Sequence, residues 1–325
     1  MGIQCLRWGI QTILQDALYS FIREKTSSAD LPENVPLGWF SDLGFNPNGA
    51  IALSRRFQSD AALTVVGYVT PIALQLQHRL ERPVNWIAAQ VVEYWSRSRL
   101  LSQRTVATDG SQQMNWVFEH IVPQQLPSGL IQLRLSVRGI AAWLEYWRCI
   151  SPVQLSRECD RAEVSTACKV DSASLFSMQH SYARTCSLLR RAQQGGQVYF
   201  GDLSQEDMAE EAKGRSAAAI SWLTPEEQLV FVHESEHQLF CRVLEMAEIL
   251  VDGTVASMDA IAVWKLSVRL SDAFQSFHRD CLMWGEVQQD NPALVQARLG
   301  LTSITRTVLY ALLVGQLHAP APEEL

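Results

Sequence analysis

Apolar residues recur at helical spacing through MGIQCLRWGIQTILQDALYSFIREK, with Ile13, Leu14, Leu18 and Ile22 on one side. This predicts an amphipathic helix at the start of the chain. The stretch has neither the continuous apolar core nor the small-residue cleavage site of a secretion signal. Farther on, ALQLQHRLERPVNWIAAQVVEYW predicts two helices, Ile72–Leu80 and Val84–Trp95, with Pro83 well placed for the second to begin. GLIQLRLSV then changes period: Leu130, Gln132 and Arg134 alternate with Ile131, Leu133 and Leu135, the signature of a strand with one wet face. After Gly139 the helical spacing returns in AAWLEYWRC, whose Trp143 and Trp147 share a face and are expected to pack the helix on its sheet. ENVPLGWFSDLGFNPNGAIALS, with its Pro, Gly and Asn, reads as loop.

A polar seam, Pro152 to Ser174, separates this mixed region from one that is almost wholly helical. Apolar-periodic runs cover Phe176–Ala192, Pro225–Val251, Met258–Met283 and Pro292–Gln316, with breakers such as QQGGQ and DGT between them. Four or more amphipathic helices with short connections predict an antiparallel bundle. The expectation is an α+β domain over 1–150, a polar linker over 151–174 and an all-α bundle over 175–325, mainly α overall.

Composition narrows the function classes. Apolar residues make up 47% of the 325 and charged residues 19%, enough for a sizeable core and too apolar for a disordered chain. No apolar run reaches the roughly 18–20 residues that cross a bilayer, so no membrane partner is expected. Seven cysteines at irregular spacing, with no C-x-x-C pair, suit reduced thiols in a cytoplasmic protein and exclude zinc-finger spacing. Residues 1–150 carry 13 Lys and Arg against 11 Asp and Glu, a net +2, whereas residues 151–325 carry 14 against 23, a net −9. An acidic second half attracts phosphate backbones poorly.

Specific residues now carry a resemblance. FSMQHSYARTCSLLRRA resembles the entry helix of the anticodon-binding (DALR) domain of arginyl-tRNA synthetases, near V-Q-Y-A-H-A-R-I-C-S-I-L-R-K-A. The matching positions are Gln179, Ala183, Arg184, Cys186, Ser187, Leu189, Arg190 and Ala192, while His180 and Tyr182 exchange the family's tyrosine and histidine. LSVRLSDAFQSFHRDC resembles that domain's L-x-x-x-F-x-x-F-Y-x-x-C helix through Leu270, Phe274, Phe277, His278 and Cys281. The ending ARLGLTSITRTVLYALLVGQLHAPAPEEL is similar to the family's terminal A-R-L … A-P-E-x-M segment. In the first half, GYVTPIALQLQHRLERPVNWIAAQVV and PSGLIQLRLS resemble parts of the synthetase N-terminal domain that contacts the tRNA D-loop. Pro71 and Gly67 stand where that family has asparagine and aspartate, so those polar contacts do not carry over.

A synthetase holds its catalytic Rossmann domain between these two regions. Here only the seam stands there, and the chain has no His-x-Gly-His and no Lys-Met-Ser-Lys. Without basic or imidazole groups presented to ATP phosphates, adenylate chemistry has no scaffold. The resemblance therefore implies a non-catalytic protein that binds tRNA or another RNA, or alternatively a module repurposed to dock a protein complex, with no cofactor. The candidate binding residues are Gln179, His180, Tyr182, Arg184, Arg190, Arg191, Phe277 and His278. The arginines read equally as grips for phosphate and as a charged helix face. Tyr182, Phe274 and Phe277 suit a base-stacking surface or, at helical spacing, a core.

One motif competes. HESEH, His233 to His237, fits the zinc pattern H-E-x-x-H. Its surroundings, TPEEQLVFVHESEHQLFCRVLEMAEIL, read as one helix capped by Thr224, begun by Pro225, boxed by Glu227 and buried along Leu229, Val232, Leu239, Val243, Met246 and Leu250. That places both histidines on the solvated flank. No third ligand follows, so no metal is expected.

Overall fold

The structure is a computed structural model that describes residues 3, 6–26, 54–60, 63–102, 109–159, 172–196, 220–251, 258 and 260–325. The loop-like stretch 33–53 and residues 160–171 of the seam lie outside the described residues. The chain divides into two compact units: Gln4–Gln58 with Val65–Ala142, and Trp143–Leu325 with Met1–Ile3 and Ser59–Thr64.

In the first of these, α1 (Leu6–Thr26) buries the predicted stripe Ile13, Leu14, Leu18 and Ile22 together with Phe21. The Phe21 ring lies 5.6 Å from that of Tyr94 on α3 (Val84–Ser102), which runs farther than Trp95 because no breaker interrupts it. Before it come β1 (Ser54–Asp60), β2 (Leu63–Thr70) and α2 (Ile72–Leu80). After it come α4 (Asp109–Glu119), β3 (Ile121–Gln125), β4 (Ile131–Leu135) and the start of α5 (Val137–Arg148). The sheet order is β1-β2-β4-β3. The alternation read from the sequence holds in β4, where Ile131, Leu133 and Leu135 are buried while Gln132 and Arg134 are partly exposed. Pro123 lies in β3, at the sheet's edge, where its missing N–H costs no ladder bond. Gly67 pairs with Arg134 so closely that a Cβ there would sit 2.3 Å from the Leu133 carbonyl oxygen. An aspartate at this position is sterically barred.

The second unit is helical. α6 (Pro152–Cys159) occupies the start of the seam and buries Leu155. The long helices are α7 (Ser172–Gln194), α8 (Glu234–Val251), α9 (Ala260–Asp280) and α11 (Pro292–Tyr310), with the short α10 (Glu286–Asp290) before the last and a π-helical extension, Ala311–Gln316, after it. Asn291 caps α11 by accepting the Leu294 N–H at 3.1 Å, with Pro292 beginning the helix. Pro292–Gln316 is long and apolar enough to span a bilayer by length and composition, yet most of it is buried among the other helices. It is the bundle's central rod. Trp143 and Trp147 are buried, but the ring contacts of this pair are with each other, with Tyr146 and with Phe240 of α8. The Trp143 indole N–H reaches Glu248 at 3.4 Å. These tryptophans belong to the bundle's packing, which corrects the expectation that they pack on the sheet.

The single long helix expected from Pro225 is also corrected. Thr224 and Gln228 close a turn, Leu223 bridges Leu229, and Val230 N–H bonds the Trp222 carbonyl, so residues 222–230 form a small hairpin. Glu227 takes a left-handed φ of 61° there instead of completing a capping box. Trp222 and Phe231 are buried, whereas Val232, placed on the buried stripe by helical periodicity, is 74% exposed. Burying two aromatic rings outweighs the helical propensity of this short segment.

Candidate functional site

The exposed side of α7 carries Phe176, His180, Arg184, Ser187 and Arg191. Steps of three and four residues align them on one stripe, about 22 Å long at the helical rise. Phe176, at the start of the apolar-periodic run, is 58% exposed and stacks on His180, with ring centroids 6.3 Å apart. Arg184 Nε donates to His278 Nε2 at 2.9 Å, and the His278 ring in turn stacks on Phe274 of α9 at 10°. Burial, then Arg184, then His180 hold the His278 imidazole below its ordinary pKa. At the far end, the Arg191 guanidinium lies 4.4 Å over the Trp284 ring, a cation–π contact. Neither Arg184 nor Arg191 has a carboxylate partner among the described residues. The stripe thus combines two unneutralised guanidinium groups with an aromatic ring, two imidazoles and an indole, chemistry that suits phosphate and unstacked bases.

The remaining predicted residues divide. Gln179 donates its side-chain amide to the Pro320 carbonyl at 2.9 Å, and Arg190 is engaged by Glu324 at 2.5 Å. These two face the chain's own C-terminal segment and not the stripe. Tyr182 and Phe277 are corrected outright: they are 4% and 0% exposed and fill the core, so neither can stack on a base. Burial raises the Tyr182 phenol pKa, and the neighbouring Cys186 adds to the shift. Cys186 and Cys281 are the buried thiols expected of them, Cys281 pushed up to about 12 by burial. Sequence reasoning missed Trp284, which follows the end of α9 and has no periodic signal, although the i, i+4 series Phe176, His180, Arg184 was readable.

HESEH resolves as a helix start. α8 begins at Glu234, so His233 stands outside it and its Nδ1 accepts the Ser235 N–H at 3.2 Å, a capping contact. Glu236 Oε2 accepts the N–H groups of Val232 and His233, both at 2.7 Å, while Arg298 Nε donates to its other oxygen at 2.5 Å. Arg298 also donates to the Leu282 carbonyl. His237 lies edge-on to Phe231, and burial lowers its pKa. The pattern needs both histidines on one helical face, and here only His237 is on the helix. Among the described residues no group of three His, Cys, Asp or Glu is placed to hold a metal.

The helical unit carries this stripe, and residues 178–324 match the DALR anticodon binding domain. Over 152 residues the chain is 30% identical to the arginine–tRNA ligase of Synechococcus sp. (strain JA-3-3Ab), covering 46% of this chain and 22% of that one. The chain therefore spans about a fifth of the length of the relative it matches. No solved structure matches.

Proposed function

We propose that the protein binds tRNA through the α7 face of its bundle and does not charge it. The observation that carries this reading is the stripe itself: Arg184 and Arg191, with no carboxylate partner among the described residues, stand beside Phe176, His180, His278 and Trp284, on a bundle similar to an anticodon-binding domain. The absence of His-x-Gly-His and Lys-Met-Ser-Lys supports the non-catalytic half of the reading. Filter binding of the purified chain to tRNA tests it. Micromolar affinity at low salt is expected, weakening as salt rises. The Arg184→Ala, Arg191→Ala pair is expected to weaken binding about tenfold, the equivalent of about 1.4 kcal/mol. Arginine-dependent pyrophosphate exchange is expected to be undetectable. Failure to bind tRNA at low salt, or a measurable charging reaction, would overturn the reading.

A second reading, docking of a protein complex, is favoured by the exposed aromatics Trp8, Tyr19 and Trp116 of the other unit. Aromatic side chains of this kind anchor protein interfaces. It predicts that Trp8→Ala with Trp116→Ala releases a co-purifying partner while tRNA binding is unchanged.

A further inference from the structure

His278 accepts in its bond with Arg184. A guanidinium Nε always carries its hydrogen, so the 2.9 Å contact requires a lone pair on His278 Nε2. The imidazole is therefore neutral, with its one proton on Nδ1. Its ring lies at 10° to the buried ring of Phe274, one helical turn back on α9, which fixes its plane while Nε2 meets α7. The charge around this nitrogen is all of one sign. Arg184 and His180, one turn apart on α7, both act against a proton on His278. The helix α8 also packs on α9, yet it sets no carboxylate against His278 among the described residues. The two Arg184 Nη groups have no hydrogen-bond partner among the described residues.

Protonation reverses this contact. A proton on Nε2 sets N–H against N–H and one positive charge against another, so the pair must part or share an acceptor. A negatively charged oxygen that accepts from both Arg184 Nε and His278 Nε2 satisfies the two donors and makes proton uptake favourable. A phosphate does this and keeps further oxygens for the Arg184 Nη groups. We propose that Arg184 and His278 form a proton-coupled phosphate site, at which an RNA backbone phosphate binds as His278 Nε2 takes up one proton from solvent. The inference rests on the RNA-binding reading and adds to it the charge state in which the α7 stripe holds its ligand.

Affinity of the full chain for tRNA tests it, measured at constant ionic strength from about pH 7.5 to about pH 5.5, with helical circular dichroism checked at each pH. The complex holds the proton more readily than the free chain, so affinity rises as pH falls. A phosphate that raises the His278 pKa by about one unit is expected to tighten binding about tenfold across this range. His278→Gln offers Arg184 an acceptor at every pH and takes up no proton, so it is expected to lose most of that gain. His78→Gln, at an exposed histidine on α2, is expected to keep it. The proton is also read directly, without any variant, from the His278 Cε1–H resonance, whose titration midpoint is expected to move to higher pH when tRNA is added. A pH gain that survives His278→Gln, or that His78→Gln removes equally, overturns the site. So does a midpoint that tRNA leaves in place, even where inorganic phosphate moves it. Affinity that is flat in pH, in a chain that still binds tRNA, sinks the proton coupling while RNA binding stands. If no tRNA binds at any pH, the RNA-binding reading falls and takes this site with it.

Discussion

Glu236 shows how one buried side chain can hold three segments. Its carboxylate is fully buried, caps the start of α8 through two backbone N–H groups and takes the Arg298 guanidinium on its other oxygen. Arg298 then ties the turn after α9 through the Leu282 carbonyl. Removing one partner strands a buried charge, so Arg298→Ala is expected to destabilise the bundle by about 3–5 kcal/mol, read as a fall in the urea midpoint. Glu236→Gln keeps an acceptor for the two N–H groups but turns an amide NH2 toward the buried Arg298 guanidinium, so it too is expected to lower the urea midpoint. Histidine supplies a second prediction at this scale. The imidazoles of His278 and His237 are both depressed below 6.5, mainly by burial. A depressed folded pKa means the unfolded chain binds the proton more readily, so the stability is present above the unfolded value and is lost as pH falls toward the folded one. Stability is therefore expected to decline from about pH 7 to about pH 5. His278→Gln, which still offers Arg184 an acceptor, is expected to flatten part of that decline. An unchanged pH profile would show that His278 carries none of it.

Packing between elements is close where Ile220 and the 222–230 hairpin meet α11. A Cβ on Gly300 would fall 2.5 Å from Trp222 Cη2 and 2.6 Å from Ile220 Cδ1. Replacing a mid-helix glycine by alanine gains about 0.5–1 kcal/mol of helical preference. Forcing a methyl into a filled site costs about 1–3 kcal/mol. Gly300→Ala is thus expected to destabilise by about 1 kcal/mol, and a raised urea midpoint would show that the hairpin gives way freely. The same hairpin marks the limit of sequence reading at the level of elements. Periodicity located α1, β4 and the long bundle helices because each buries one continuous face, the property that spacing encodes. It failed over 225–233, where Leu229 and Val232 sit at helical intervals but the decisive contacts are those of Trp222 and Phe231, closed by a turn with a left-handed Glu227. The site divided for a related reason. Exposure of Phe176, His180, Arg184 and Arg191 follows from their shared stripe, whereas the burial of Tyr182 and Phe277 depends on which helices come to lie against α7 and α9. The engagement of Arg190 needed the return of the C-terminal segment, a contact 134 residues distant in sequence.

At the scale of the whole molecule, charge decides how such a protein could hold RNA. Residues 151–325 carry a net −9, and four of the bundle's arginines face carboxylates: Arg190 those of Glu323 and Glu324, Arg242 that of Glu245, Arg279 that of Asp280 and Arg298 that of Glu236. Arg184 and Arg191 remain on the α7 stripe. Each phosphate neutralised on a single strand adds about 0.7 to the log–log salt slope, so two contacts give a slope of about −1.4. Between 50 and 200 mM salt, affinity is then expected to fall by about sevenfold, far less than the roughly thousandfold or greater loss of a protein making six or more phosphate contacts. A slope this shallow implies that stacking on Phe176, His180 and Trp284 supplies much of the affinity, about 1–3 kcal/mol per stacked base. Trp284→Ala is accordingly expected to weaken tRNA binding by about tenfold while leaving the salt slope nearly unchanged. Arg184→Ala is expected to lower the slope by about 0.7. A measured slope steeper than about −4 would require more cations than the α7 stripe offers and would move the main contact to the first half of the chain, where residues 1–150 carry a net +2.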